Sequence, residues 1–137
     1  MNFNDARADI AGFIFPLWVA AYPNYPFIPP NQPIPDLADQ TNPFVMMHVR
    51  YTSGRQASME HVDAVKRWTG YVLFEVFVKE NSGSVIQTQL VDFLAAQLQQ
   101  RTVEGVILQV SVPLPSLEFK GWSKLPLRVP FYFDSIN

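Results

Sequence analysis

The chain of 137 residues has no cysteine. A disulfide framework, a thiolate metal site and a cysteine nucleophile are therefore all excluded. Histidine is nearly absent too, with only His48 and His61. There is no excess of positive charge: the formal net charge is −2, with acids and bases spread along the chain. A protein that reads duplex DNA through its phosphates is normally basic, so sequence-level DNA binding is not expected. No apolar run approaches the ~20 residues needed to span a bilayer. The first residues, MNFNDARADIAG, place acids where a signal peptide carries a basic region. These features lead us to expect a soluble protein made in a reducing compartment. The G-x-S-x-G elbow, the phosphate-cradling glycine loop and the H-E-x-x-H helix are missing as well.

What is present is organised around Ala64 to Glu80. From Trp68 onward one parity reads Trp68, Gly70, Val72, Phe74, Val76, Val78, apolar without a break, and the other is mixed. Such alternation predicts a β-strand with one face in a core. At about 3.3 Å per residue it should outrun a small domain's core and have something outside to pair with. The length predicts one domain over residues 1–137.

Phe3 to Ala21 has the period of an amphipathic helix, with a stripe of Ile10, Phe13, Ile14, Leu17 and Ala21. Asn2 or Asn4 can cap it, and Pro16 predicts a kink or a break. Trp18 lies off the stripe, as core packing or as an anchor for a neighbour. Seven of the twelve prolines fall between Pro23 and Pro43, so Tyr22 to Asn42 predicts an extended arm. Its Phe27, Ile28, Ile34 and Leu37 are too apolar for a linker. They imply an arm strapped over its own domain or laid on an adjacent subunit.

Pro43 to Tyr51 predicts a strand with Val45, Met47, Val49 and Tyr51 on one side, and polar Thr52 to Asp63 a long hairpin loop. Ser84 with Gln87 forms the pattern of a capping box. Ile86, Leu90, Phe93, Leu94 and Leu98 supply the stripe of a second helix. Val106 to Val112 alternates as a third strand, and Gly121 to Asp134 as a fourth. Pro126 and Pro130 mark that last strand as an edge or a bulged strand. The expected fold class is α+β: an antiparallel or mixed sheet of about four main strands with two helices packed on it.

Candidate chemistry is sparse. His48 alternates with Phe44 and Met46, the position of an ordinary half-exposed histidine. His61 with Glu60 and Asp63 is a poor metal pattern, because the ligands crowd into one loop. Arg50, Arg55, Lys66 and Arg67 flank that loop, as a basic patch or as outward charges of two hairpin strands. Neither a catalytic residue, a cofactor site nor a metal site emerges. The reading that would make an enzyme or small-molecule binder of the chain needs a pocket near His48, His61 and Glu75.

Three stretches, YPFIPP (Tyr25 to Pro30), SGRQASME (Ser53 to Glu60) and GWSKLPLRVPFYFD (Gly121 to Asp134), together resemble a bacteriophage family. Members of that family look like tail terminator proteins of long-tailed phages. The resemblance spans nearly the whole chain, although the proline-rich arm here is longer. It implies a structural virion protein without enzymatic activity. Such a protein forms a ring, usually a hexamer, at the head-proximal end of the tail and stops tube polymerisation. Its partners would be the tail tube protein and a head–tail connector or neck protein. DNA would pass through the lumen without specific binding, a role that near-neutral charge suits. Another neck or tail-completion protein is the alternative within that class. The interface residues expected on this reading are Arg50, Arg55, Gln56, Val65, Arg67, Phe27 and Ile28.

Overall fold

The stretch from Val65 to Lys79 is a strand, β3, as its alternation predicted, and it lies in the middle of the sheet. In this computed structural model the described residues are 2–30, 32–33, 40–56, 65–80 and 85–136. Around β3 run helix α1 (Phe3–Ala21), β1 (Phe27–Ile28), β2 (Phe44–Gln56), α2 (Val85–Leu98), β4 (Thr102–Val103), β5 (Val106–Leu108), β6 (Val112–Pro113), β7 (Leu117–Phe119) and β8 (Trp122–Ile136). The eight strands form one curled sheet in the order β1-β2-β3-β8-β5-β4, with β6 and β7 also pairing with β8. The sheet is mixed because β1 runs parallel to β2, whereas the other pairs are antiparallel.

The architecture remains α+β with two helices, but eight strands replace the four expected. The prolines of β8 account for part of that difference. Gln109 donates to the Pro130 carbonyl at 2.8 Å and Leu114 donates to the Pro126 carbonyl at 2.9 Å. Neither proline has an N–H to return the bond, so the ladder lapses after each of them. The single strand expected over Val106 to Val112 is thus cut into β5 and β6. Of the two readings its prolines allowed, an edge or a bulged strand, β8 is not the edge. It pairs with β3 along its whole length and with three short strands on the other side. Its missing donors fall on the interrupted side.

β3 is also not over-long. It is paired on one flank from Phe77↔Phe44 to Lys66↔Gln56 and on the other from Lys79↔Trp122 to Val65↔Ile136. The extra length of β2 makes this possible. Residues Thr52 to Gln56, expected in a loop, continue the strand past a bulge between Tyr51 and Ser53. The Ser53 and Thr69 hydroxyls lie 2.7 Å apart across the pair and help hold this polar stretch in the ladder. The rest of that expected loop lies outside the described residues.

Both helices pack on one face of the sheet, built by Val45 and Met47 of β2, Val72, Phe74 and Val76 of β3, and Leu127, Val129, Phe131 and Phe133 of β8. Helix α1 starts with a reciprocal cap: Asp5 N–H donates to the Asn2 side chain at 2.8 Å, and Asn2 N–H to the Asp5 carboxylate at 3.2 Å. It buries Ala6, Ile10, Ile14 and Trp18, a stripe rotated from the expected one. Trp18 is core, and its indole N–H donates to the Tyr25 carbonyl at 2.7 Å. Pro16 does not break the helix. Both Pro16 and Gly12 are exposed, so the carbonyl freed by the proline ring faces water. Gln87 is buried in the sheet, donating to the carbonyls of Val76 and Ser123 at 3.1 and 3.0 Å. The capping box expected of it involves Ser84, which lies outside the described residues.

The proline-rich arm docks on its own domain at its start. Phe27 is buried and Ile28 half-buried. Ile34 and Leu37 lie outside the described residues. On the sheet's other face, at the β7 end, Phe44, Met46, Phe77 and Trp122 make a second, smaller core.

Candidate functional site

Side chains of opposite parity point away from the helices, and these carry most of the polar chemistry. His48, Glu75 and Lys124 come from β2, β3 and β8. His48 Nε2 lies 2.6 Å from Glu75 Oε1, and Lys124 Nζ lies 2.7 Å from Glu75 Oε2. The His48 hydrogen bond and the Lys124 ammonium outweigh burial and hold the Glu75 carboxyl down at about 2. A carboxylate that stays ionised, with both oxygens occupied, ties three strands together and is a poor proton donor. Further along, Arg67 grips Asp134 through two hydrogen bonds of 2.8 and 3.0 Å and lies 4.6 Å from the Tyr132 ring centroid. Arg128 lies 4.2 Å from the Tyr71 ring centroid.

The edge of β2 is different in kind. β1 covers it only at Val45 and Met46. From His48 to Gln56 that edge has no strand partner among the described residues. Such a row of backbone donors and acceptors is a template for another strand. Beside it lies an open groove of about 350 Å³, lined by Phe3, Asn4 and Arg7 of α1, by Pro30 and Gln32, and by His48 to Tyr51. Phe3 anchors this wall: its carbonyl accepts from the Tyr51 hydroxyl at 2.7 Å, and its ring meets Tyr51 and Trp68 at 4.6 and 4.8 Å. Arg7 sits close enough to lower the Tyr51 hydroxyl's pKa, although burial wins and raises it.

The opposite margin is built from short strands joined by tight turns. β4 and β5 turn at Glu104 and Gly105 (φ 49° and 92°), and β7 and β8 at Lys120 and Gly121 (φ 50° and 84°). Two consecutive positive φ values mark the hairpin turn that matches strand twist. Val110, Val112 and Leu117 are about half exposed along this margin. Glu118 on β7 pushes the Glu80 carboxyl above its ordinary value by like-charge repulsion. The lysines there, Lys79 and Lys120, lie over the rings of Trp122 and Phe119.

The residues singled out by sequence are not brought together. Arg50 lines the groove. Arg55 and Gln56 lie on the open stretch of β2, opposite Arg67 and Lys66 in register. Val65 pairs with Ile136 and is not a projecting start. Arg67 is occupied by Asp134, and Phe27 belongs to the core. His48 and Glu75 do meet, while His61 lies outside the described residues. Sequence reading missed Arg7, Val49 and Glu118 as edge residues. The alternation of β2 carried a signal for Val49, but nothing local reveals which flank of a strand stays open. Among the described residues no cluster of three or more His, Asp or Glu side chains could hold a metal. No helix there is long and apolar enough to cross a membrane.

No family model and no curated protein matches the chain. A solved structure of about equal length, whose name states no activity, superposes with a TM-score of 0.70 at 15% identity, covering 100% of this chain and 98% of its own. At that identity the likeness is one of fold.

Proposed function

We propose that this protein is a structural component of a phage virion, a tail terminator. In this reading copies of the chain form a closed ring, a hexamer by resemblance to the family, at the head-proximal end of the tail tube. The ring ends tube polymerisation and offers the tail side of the head–tail joint to a neck protein. Its role is assembly, not catalysis, and DNA slides through its lumen without specific binding.

The observation that carries this reading is the pair of unlike sheet margins. Among the described residues β2 has no strand partner on its outer edge from His48 on, and the far margin is a broken line of short strands with Val112 and Leu117 exposed. One copy can offer the first margin and receive at the second. Closed cyclic symmetry then leaves no edge over. Two of the stretches that resemble the family supply the bulged end of β2, on the first margin, and β8, to which the short strands of the second are joined.

The test is the addition of purified protein to polymerising tail tube subunits. Tubes should stop at shorter lengths with a ring visible at one end by electron microscopy. Unchanged tube lengths, with no ring bound, would overturn the proposal.

A further inference from the structure

We propose that β7 of a neighbouring copy adds to the open edge of β2 as an antiparallel strand, with Glu118 opposite Val49 and its side chain in the groove beside Arg7. This rests on the self-association just proposed and names the surfaces that make it.

Strand direction is the first support. β2 and β8 both run antiparallel to β3, and β7 runs antiparallel to β8. A second copy that continues the sheet in the same sense therefore brings its β7 antiparallel to β2, with straight, paired ladder bonds.

Backbone parity is the second. Val45 N–H donates to the Pro26 carbonyl on the β1 side, so Val45, Met47 and Val49 turn their backbone groups to that edge, and β1 ends before Val49. On β8 the carbonyls of Pro126 and Pro130 point to the short strands. Lys124 and Trp122 share that parity and pair with Leu117 and Phe119, which leaves the N–H and C=O of Glu118 facing outward. Val49 and Glu118 are thus both outward-facing and can exchange two hydrogen bonds, the Val49 carbonyl taking the Glu118 N–H on the lone pair not used by the Arg50 guanidinium, which donates to it at 3.3 Å.

Side-chain parity agrees independently. Val49 packs on the helix-side core. Glu118 is opposite Ser123, whose hydroxyl donates to Gln87 of α2 at 3.4 Å, so Glu118 is on the helix side as well. Residues directly opposed in an antiparallel pair share a face. A slip of one residue would break both agreements. The same register sets exposed Leu117 opposite Arg50 on the other face.

Charge is the fourth support. On the helix side, where Glu118 would enter, the described lining of the groove carries the Arg7 guanidinium and no carboxylate; His48 and Arg50 line its other face, and His48 is already paired with Glu75. Glu118 lies close enough to Glu80 to push that carboxyl above its ordinary value. Opposite signs across a junction favour the right partner and penalise others.

The chain has no cysteine, so a designed pair reports without background. Val49→Cys with Glu118→Cys, oxidised mildly, should give a ladder of covalent multimers under denaturing electrophoresis. Opposed residues in such a pair lie about 5.5 Å apart, within disulfide reach. Val49→Cys with Val112→Cys, out of register, should give no ladder. In parallel, Arg7→Glu should raise the concentration for half-assembly at least about tenfold, and Arg7→Glu with Glu118→Arg should restore it to within about threefold. Multimers that form without cross-linking, or an Arg7→Glu defect that the second change does not relieve, overturn this register and leave the ring standing. A wild-type chain that stays monomeric overturns the ring and the register together.

Discussion

Glu75 sits between His48 and Lys124 on the middle strand, and its ionised form is what the fold holds. Its pKa is lowered from 4.5 to about 2. A folded-state value below the unfolded one contributes stability that is complete above about pH 4.5 and fades as the pH falls toward 2. Glu75→Gln should therefore cost roughly 1–2 kcal/mol near pH 7, because solvent on the open face screens part of the interaction. The difference from wild type should shrink on acidification, as followed by urea unfolding at several pH values. A constant difference between pH 7 and 3 would show that the carboxylate's charge is not what matters. Gly70 is a second sensitive position. A Cβ there would collide with the Arg50 carbonyl oxygen and press on the Phe131 ring at 3.0 Å. Gly70→Ala should destabilise by roughly 1–3 kcal/mol, lowering the thermal midpoint while Gly12→Ala, in open space, does not.

Between elements, Gln87 is the polar bolt of α2. It is buried at 5% exposure, and its amide bridges carbonyls of β3 and β8. Gln87→Ala should cost roughly 1–3 kcal/mol by leaving those groups short of a partner, measurable as a shift in denaturation midpoint. Local pattern could not reveal this role, since Ser84 and Gln87 have the spacing of a cap. The bounds of α1 and the faces of β3 were legible because their periods are long and clean. Thr52 to Gln56 was not legible: its residues are those of a loop, and only pairing with Lys66 to Thr69 makes it strand. The prolines of β8 were read as marks of an edge or a bulged strand for a sound reason, but whether a missing donor matters depends on the strand opposite. Here that strand is interrupted at the same points. Trp18 was placed off the stripe because the helix is rotated to bring its indole to the Tyr25 carbonyl, a tertiary bond with no sequence signal.

At the scale of the molecule, the expectation that an over-long β3 would reach out to a neighbour gives way to a different geometry. β3 is enclosed, and among the described residues the open backbone belongs to β2 on one side and to the short strands on the other. Arg50, Tyr51 and the groove beside them, found at the β2 margin, could be anticipated only as a loose basic patch. Closure of these margins on one another is the central claim. It is tested most directly by the mass of the purified chain in solution across a hundredfold range of concentration, by native mass spectrometry with electron microscopy of the same sample. The account requires one discrete multimer, imaged as a closed ring, that dissociates on dilution without intermediates of indefinite length. A single 15.6 kDa species at every concentration, or open chains that grow without limit, would contradict it.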